Sequence, residues 1–383
     1  MEQKITQTQI EHVVEVPNEL EKPKPNNIIT TNKRLTRSTT ILTRSHAGYF
    51  RISLSLSSQA LLWKILLEQN DDVHSLQRVL FHMVPSSSRV FIILLWSLAL
   101  FTLLSQSLLY LLRCFLHFEI VKAEFLHHVG VNYLFAPWIS WLLLLQSSPF
   151  IKPNENLYYY YYLVFWWVLV IPIVILDIKI YGQWFTTKGK RFLSTVANPS
   201  SQLSVIGNLV AARAAAQMGW IECGLCMFSL GMAHYLVLFV TLYQRFCGDN
   251  ALPVMLKPVF FLFIGAPSMG SLAWASICGK FDYTSKMLFF LSLFLFMSLV
   301  SRPTLFKKSM RKFNVAWWAY SFPLTLLALA ATEYGEEVKS GISNALMLVL
   351  SALSSLMSND DQSSSVVICE DSGLPTNLTN QRS

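Results

Sequence analysis

Runs of about twenty apolar residues recur along this sequence, and nothing constrains its fold more, because that is the length an α-helix needs to cross a bilayer core. "MLFFLSLFLFMSLV" and "YYLVFWWVLVIPIVIL" are two of them. Backbone groups in lipid must bond within their own segment, so such runs read as helices. Composition matters at one point. Charged residues make up only 14% of the chain, against about 25% in soluble domains, too few to cover a soluble surface. The expected class is an all-α polytopic membrane protein.

Ten segments are expected, at 48–68, 90–112, 131–148, 157–178, 202–220, 224–243, 254–277, 284–301, 314–332 and 340–357. The last, "GISNALMLVLSALSSLMS", is short and serine-rich. It reads either as a thin or tilted tenth span or as a segment that does not cross. The organisation is then a polar tail over 1–45, a membrane domain over 46–358 and a disordered tail over 359–383. The polar start lacks an early apolar core, so no cleaved signal peptide is expected and the first membrane helix serves for targeting. Basic residues in short loops set orientation. Loops after even-numbered segments hold twelve Lys and Arg, and those on the other side hold fewer, among them Arg78, Lys152, Lys280 and Lys339. Both termini are therefore expected in the cytosol. That side leaves the sequon at Asn377 unmodified. The net charge of +8 reads as this topological signature plus attraction to anionic membrane lipid, not as nucleic-acid binding.

The segments differ in character. Odd-numbered ones carry small, polar or helix-breaking residues in their middles, such as Gly207 and Asn208 in the fifth and Pro267 and Gly270 in the seventh. Even-numbered ones lean toward Leu, Phe, Val and Tyr. A proline frees a carbonyl one turn back, here of Tyr133, Phe263 and Ala319, and lipid does not tolerate such groups unless other helices, hydroxyls or water satisfy them. Small residues permit close helix approach. Odd helices should thus face inward and even ones lipid. Two meanings stay open on this pattern alone: a conduit between the inner helices, or a tightly packed bundle.

Enzyme signatures are absent: no phosphate-cradling loop, no H-E-x-x-H, no G-x-S-x-G. Of six cysteines only Cys223 and Cys226 are close, as C-G-L-C, without the second pair a zinc site needs. No metal or cofactor is expected. Ionisable residues inside spans are the sharper signal, because they are expensive there. Arg51 lies within about a turn of the cytosolic end of the first segment, where snorkelling is the plain reading. Arg213 lies deeper, among alanines, and Asp177 and Glu333 are both candidate partners. No acidic ring lines the odd segments, which argues against a cation channel. Hydroxyls, amides and exposed backbone offer weak, neutral solvation, which suits anion conduction. The candidate lining residues are Ser55, Ser58, Ser140, Asn208, Ser268, Ser271 and Thr325.

Seven blocks carry a likeness: "HAGYFRISLSLSSQALLWKIL", "VNYLFAPW", "IKIYGQW", "ANPSSQLSVIGNLV", "AHYLVLFVTLYQR", "FIGAPSMGSLAWA" and "VAWWAYSFPLT". Together they resemble the plant slow-type (S-type) anion channel family, and its short-tailed homologues most, with a distant relation to bacterial tellurite-resistance/dicarboxylate transporter proteins. The resemblance implies ten transmembrane helices as five helical hairpins around a central pore. It also implies trimers with one pore each, a plasma-membrane location, and slow, weakly voltage-dependent conduction of nitrate or chloride. It makes Phe322, in "WWAYSFP", the ring that occludes the pore, and Pro137, Pro267 and Pro323 the inner-helix kinks. Lys122, Lys188, Lys190 and Arg191 match basic cytosolic positions and, with Arg51 and Arg213, would attract anions. Ala123 stands where a second basic residue often follows, and Arg213 where an apolar one is expected. Two other roles remain open: a silent regulatory subunit that assembles with longer homologues, and a proton-coupled organic-anion carrier. Thr36 and Thr40, in "NKRLTRSTT", have kinase-like spacing from basic residues.

Overall fold

Every expected apolar segment is helical over most of its described length in the computed structural model, which describes residues 46–68, 88–150, 156–186, 197–246, 259–302 and 318–371. The helices are α1 (Phe50–Glu68), α2 (Ser88–Leu116), α3 (Phe118–Leu126), α4 (Gly130–Tyr133), α5 (Phe135–Ser147), α6 (Asn156–Thr186), α7 (Gln202–Gln217), α8 (Ile221–Phe246), α9 (Leu262–Cys278), α10 (Tyr283–Val300), α11 (Trp318–Val338) and α12 (Gly341–Asp371). They belong to one compact unit, Ser45–Ser383, while Met1–Arg44 lie outside the described residues. Six helices are long and apolar enough to cross a membrane, or seven if the bent pair Phe118–Leu126 and Gly130–Ser147 counts as one span.

Two layers form, for the reason read from composition. α1, α5, α7, α9 and α11 pack side by side in a closed ring, α1 on α5, α5 on α7, α7 on α9, α9 on α11 and α11 on α1. Each is backed by the next long helix in the chain: α2, α6, α8, α10 and α12 respectively. Inner helices are buried all round, and α7 is buried at every residue from Gln202 to Ala216. Outer helices expose large apolar side chains, Phe101 by 68% and Met287 by 72%, an exposure that only a lipid surface makes favourable. Outer tryptophans also supply polar partners to the inner layer. Trp96 Nε1 donates to the Leu144 carbonyl at 3.0 Å and Trp166 Nε1 to that of Ala211 at 3.1 Å.

Three local features depart from the sequence reading. The third segment is broken at Leu134 into α4 and α5, and α3 meets it at 103°. Gly130 is required there, since a Cβ would stand 2.7 Å from the Glu124 carbonyl oxygen that closes α3. Pro137 is therefore the third residue of a new helix, where its missing N–H removes no intrahelical bond. The last helix passes residue 358, the boundary expected from composition, and runs to Asp371. Finally, α10 starts with a capped turn: Asp282 accepts the Ser285 N–H at 3.0 Å and the Trp274 indole N–H at 3.0 Å.

Candidate functional site

The ring of inner helices has two ends, and polar or bulky side chains close both. At one end Phe322, in the first turns of α11, is 1% exposed. A cavity of about 10 Å³ lies beside its ring, lined by Arg51, Leu54, Tyr133, Leu203, Val259, Leu262 and Phe322. That volume holds at most about one water. Four of the five inner helices place a large apolar side chain at this level: Leu54 from α1, Leu203 from α7, Leu262 from α9 and Phe322 from α11. Tyr133, just ahead of α5, completes it. All these residues stand at or near the starts of their helices, so the inner helices run in the same direction.

Pro323 follows Phe322 inside a continuous α11, and Pro267 likewise lies inside α9. Each inner-helix proline is followed within three residues by a hydroxyl that binds back to its own helix. Ser140 donates to the Ala136 carbonyl at 2.8 Å, Ser268 to that of Ile264 at 2.9 Å and Thr325 to that of Ser321 at 2.8 Å. These are side-chain bonds to the carbonyl one turn back; the carbonyls that Pro267 and Pro323 leave without an N–H are those of Phe263 and Ala319.

The cation at this end is Arg51. Its guanidinium carbon sits 4.4 Å from the centroid of the Tyr133 ring, a cation–π contact, and its Nε is buried with no hydrogen-bond partner. Arg51 therefore turns inward to the cavity wall. Nearby, Arg113 pairs with Glu124 at 3.1 Å, and Glu124 also accepts the Ala47 N–H at 2.8 Å. That ties α2 and α3 to the turn that leads into α1.

At the other end stand the C-terminal residues of the same helices. Arg213 of α7 pairs with Glu333 of α11 at 3.0 Å and donates to Gln146 Oε1 of α5 at 3.3 Å. Asp177, the other acid weighed for it, is engaged by Asn208, whose Nδ2 donates to Oδ2 at 2.8 Å. Lys64 of α1 donates to the carbonyls of Gln146 and Ser148 at 3.0 and 3.1 Å, which satisfies the C-terminal end of α5. Phe322 and Glu333 are eleven residues apart, so the two ends are separated by about 16 Å at the helical rise of 1.5 Å per residue.

The hydroxyls and amides expected to line a path are all buried, and all but Ser58 also reach a neighbouring helix. Ser55 pairs with Ser321 at 2.7 Å, and Ser58 donates to the Ser55 carbonyl at 2.7 Å. Thr325 meets Ser354 of α12 at 2.9 Å, with Gln59 donating to both. Ser268 pairs with Ser292 of α10 and Ser271 donates to the Ser285 carbonyl, while Asn208 turns to α6. Ser140 lies 3.4 Å from Ser53 of α1. None of them borders the Phe322 cavity. Lys122 is exposed on α3. Lys188, Lys190, Arg191, Thr36, Thr40 and Asn377 lie outside the described residues. Among the described residues no group of His, Cys, Asp and Glu could hold a metal, and Cys114, Cys223, Cys226 and Cys278 are free thiols. Leu54, Leu203, Val259 and Leu262 escaped sequence reading, because an aliphatic side chain in an apolar helix carries no signal of its own.

Comparison with known proteins places the sequence in one family. Residues 44–358 match the family model described as voltage-dependent anion channel. The chain is 60% identical over 312 residues to the S-type anion channel SLAH1 of Arabidopsis thaliana, covering 82% of this chain and 78% of that one. It is 56% identical over 317 residues to SLAH4 of the same plant, covering 83% and 82%. Against the guard cell S-type anion channel SLAC1 of Arabidopsis thaliana the identity is 44% over 317 residues, covering 82% of this chain but 54% of that longer one.

Proposed function

This chain belongs to the voltage-dependent, S-type anion channel family, and we propose that it conducts nitrate and chloride along the axis of its inner ring, with Phe322 as the closure. The observation that carries this reading is the level at Phe322. Apolar side chains from the ring converge there on a space no larger than a water, so a hydrated anion has no room to pass. Arg51 beside that space gives the approach a positive charge. Pro323 sets the backbone that aims the ring, and Pro267 places α9 against it.

In this reading all ten segments cross the plasma membrane as five hairpins, with both termini cytosolic. The Phe322 end then faces the cytosol and the Arg213 end the outside. Three inner helices fail a simple apolarity test for spanning because they touch other helices and not lipid, which supports ten crossings over six or seven. Assembly as a homotrimer, or as a heteromer with longer relatives, and kinase control through Thr36 or Thr40 are parts of the same proposal. The test is voltage clamp of oocytes expressing wild type and Phe322→Ala, with surface protein measured in parallel. Phe322→Ala is expected to raise nitrate and chloride current at least tenfold. Unchanged current at equal surface expression refutes the closure.

One observation favours a second reading, the silent regulatory subunit. The Arg213–Glu333 pair is a second obstruction that Phe322→Ala leaves in place. Co-expression with a longer relative then shifts that partner's conductance or selectivity; no shift disposes of it.

A further inference from the structure

We propose that the Arg213–Glu333 pair is a self-occupied anion-binding site at the far end of the ring, in which the Glu333 carboxylate stands where a permeating oxyanion docks. The route of that anion rests on the pore reading above; the chemistry of the site does not.

The geometry is unusual for a structural ion pair. α7 and α11 are not neighbours in the ring, because α9 packs between them. A 3.0 Å bond between their side chains therefore crosses the space that the ring encloses. The partners are also unequal. The Arg213 side chain is 4% exposed and that of Glu333 22%, so the cation is fixed in the wall while the carboxylate faces the outer mouth. Gln146 pins one guanidinium nitrogen at 3.3 Å. Glu333 takes a second through one carboxylate oxygen.

The third nitrogen, Nε, is buried and has no partner. A guanidinium with one edge incompletely used suits a planar oxyanion, which can bridge two parallel N–H groups as a carboxylate or nitrate does. The Tyr162 hydroxyl, also buried and without a partner, lies within electrostatic reach of Arg213. An arginine inside a membrane protein is costly unless paired, so the site is never vacant: Glu333 holds it until a small anion replaces the carboxylate. Nitrate is expected to bind better than chloride, which is spherical and cannot use the fork.

The test is thermal unfolding of the purified full-length protein in detergent, titrated with sodium nitrate, with sodium fluoride, which has no planar oxyanion group, keeping ionic strength constant. Nitrate is expected to stabilise wild type weakly. In Glu333→Gln the competing carboxylate is gone, and half-saturation should fall to about one tenth of the wild-type nitrate concentration, equivalent to one decade in affinity. Arg213→Gln should lose the response. Arg213→Lys should keep a response but lose the preference for nitrate over chloride. Unchanged half-saturation in Glu333→Gln, or a full nitrate response in Arg213→Gln, overturns the proposal. If Arg213→Gln does not fold, the Glu333→Gln titration decides alone. Binding is read without conduction, so a silent Phe322→Ala channel counts against the Phe322 closure, and an unchanged titration counts against the Arg213 site.

Discussion

Phe322→Ala should behave differently from every other phenylalanine truncation in the core. Phe289, fully buried on α10, stacks on Tyr334 with ring centroids 4.9 Å apart. Cutting it to alanine leaves a dry hole between the layers, and such changes cost about 3–5 kcal/mol. Removing the six-carbon ring of Phe322 frees room for roughly three waters at about 30 Å³ each. An unfilled hole of that size would cost about 2 kcal/mol at ~24 cal/mol per Å³. If Phe322 plugs an aqueous path, water enters the new space and that component disappears. Phe322→Ala should therefore lose about 2 kcal/mol less than Phe289→Ala while gaining current. Thermal unfolding of both variants in detergent, beside voltage clamp, measures the two effects separately. Equal destabilisation with no gain in current would mean that Phe322 is core packing, and the reasoning would fail.

Three smaller predictions follow from other parts of the molecule. Gly265→Ala should be close to neutral: its Cβ would meet Ile206 at 3.1 Å, Leu326 at 3.5 Å and Pro323 at 3.6 Å, offset by about 1 kcal/mol of helix propensity. Gly265→Val overpacks the same spot and should lower the unfolding temperature by the equivalent of about 1–3 kcal/mol. Asp282→Ala should cost about 1 kcal/mol through the lost cap of α10, with Asp282→Asn retaining most of it in the same melt. His46 accepts the Gly48 N–H through Nδ1 at 3.1 Å, and its pKa is lowered from 6.5 to about 4 by burial first and by the Arg51 charge second. The released chain takes up its proton near pH 6.5 and the ordered turn only near 4, so acid favours release. Hydrogen-exchange protection of Gly48 should be complete above pH 6.5 and decline toward pH 4, softened by solvent at the exposed edge of the ring.

The layering was legible in the sequence because lipid leaves an outward-facing helix little choice. An inner helix can carry Ser, Asn, Gly and Pro only if something other than lipid receives them, and the odd segments advertise this. The direction of each hydroxyl was not legible. Ser268 and Ser271 share α9 with Leu262 of the cavity wall, yet their bonds go to α10. A helical period says that a residue faces other protein, not whether that protein is the next inner helix, the outer layer or a central space. The partner of Arg213 was equally hidden. Asp177 and Glu333 are both acids at a membrane-helix position, and only the fold, joining residues 120 apart, decides between them. The break at Leu134 left a faint trace in "HHVGVNY", where Gly130 fits a close approach that no periodicity reports. Phe322 itself entered through the family resemblance, since one phenylalanine among twenty-six is not distinguished by its type.

The common direction of the five inner helices gives the ring an electrical polarity. Each helix carries about half a positive charge at its start and half a negative charge at its end. The inner ring adds them, and the outer helix that backs each inner one offsets part of the sum. The Phe322 end gains at most about two and a half positive charges before any side chain is counted, and the Arg213 end at most a matching negative sum. In the proposed pore, an anion moving from the Phe322 end toward the Arg213 end would travel from a favourable field toward an unfavourable one. Arg213 and Lys64 stand at the unfavourable end, where each positive charge flattens that slope. Removing either should make the current rectify.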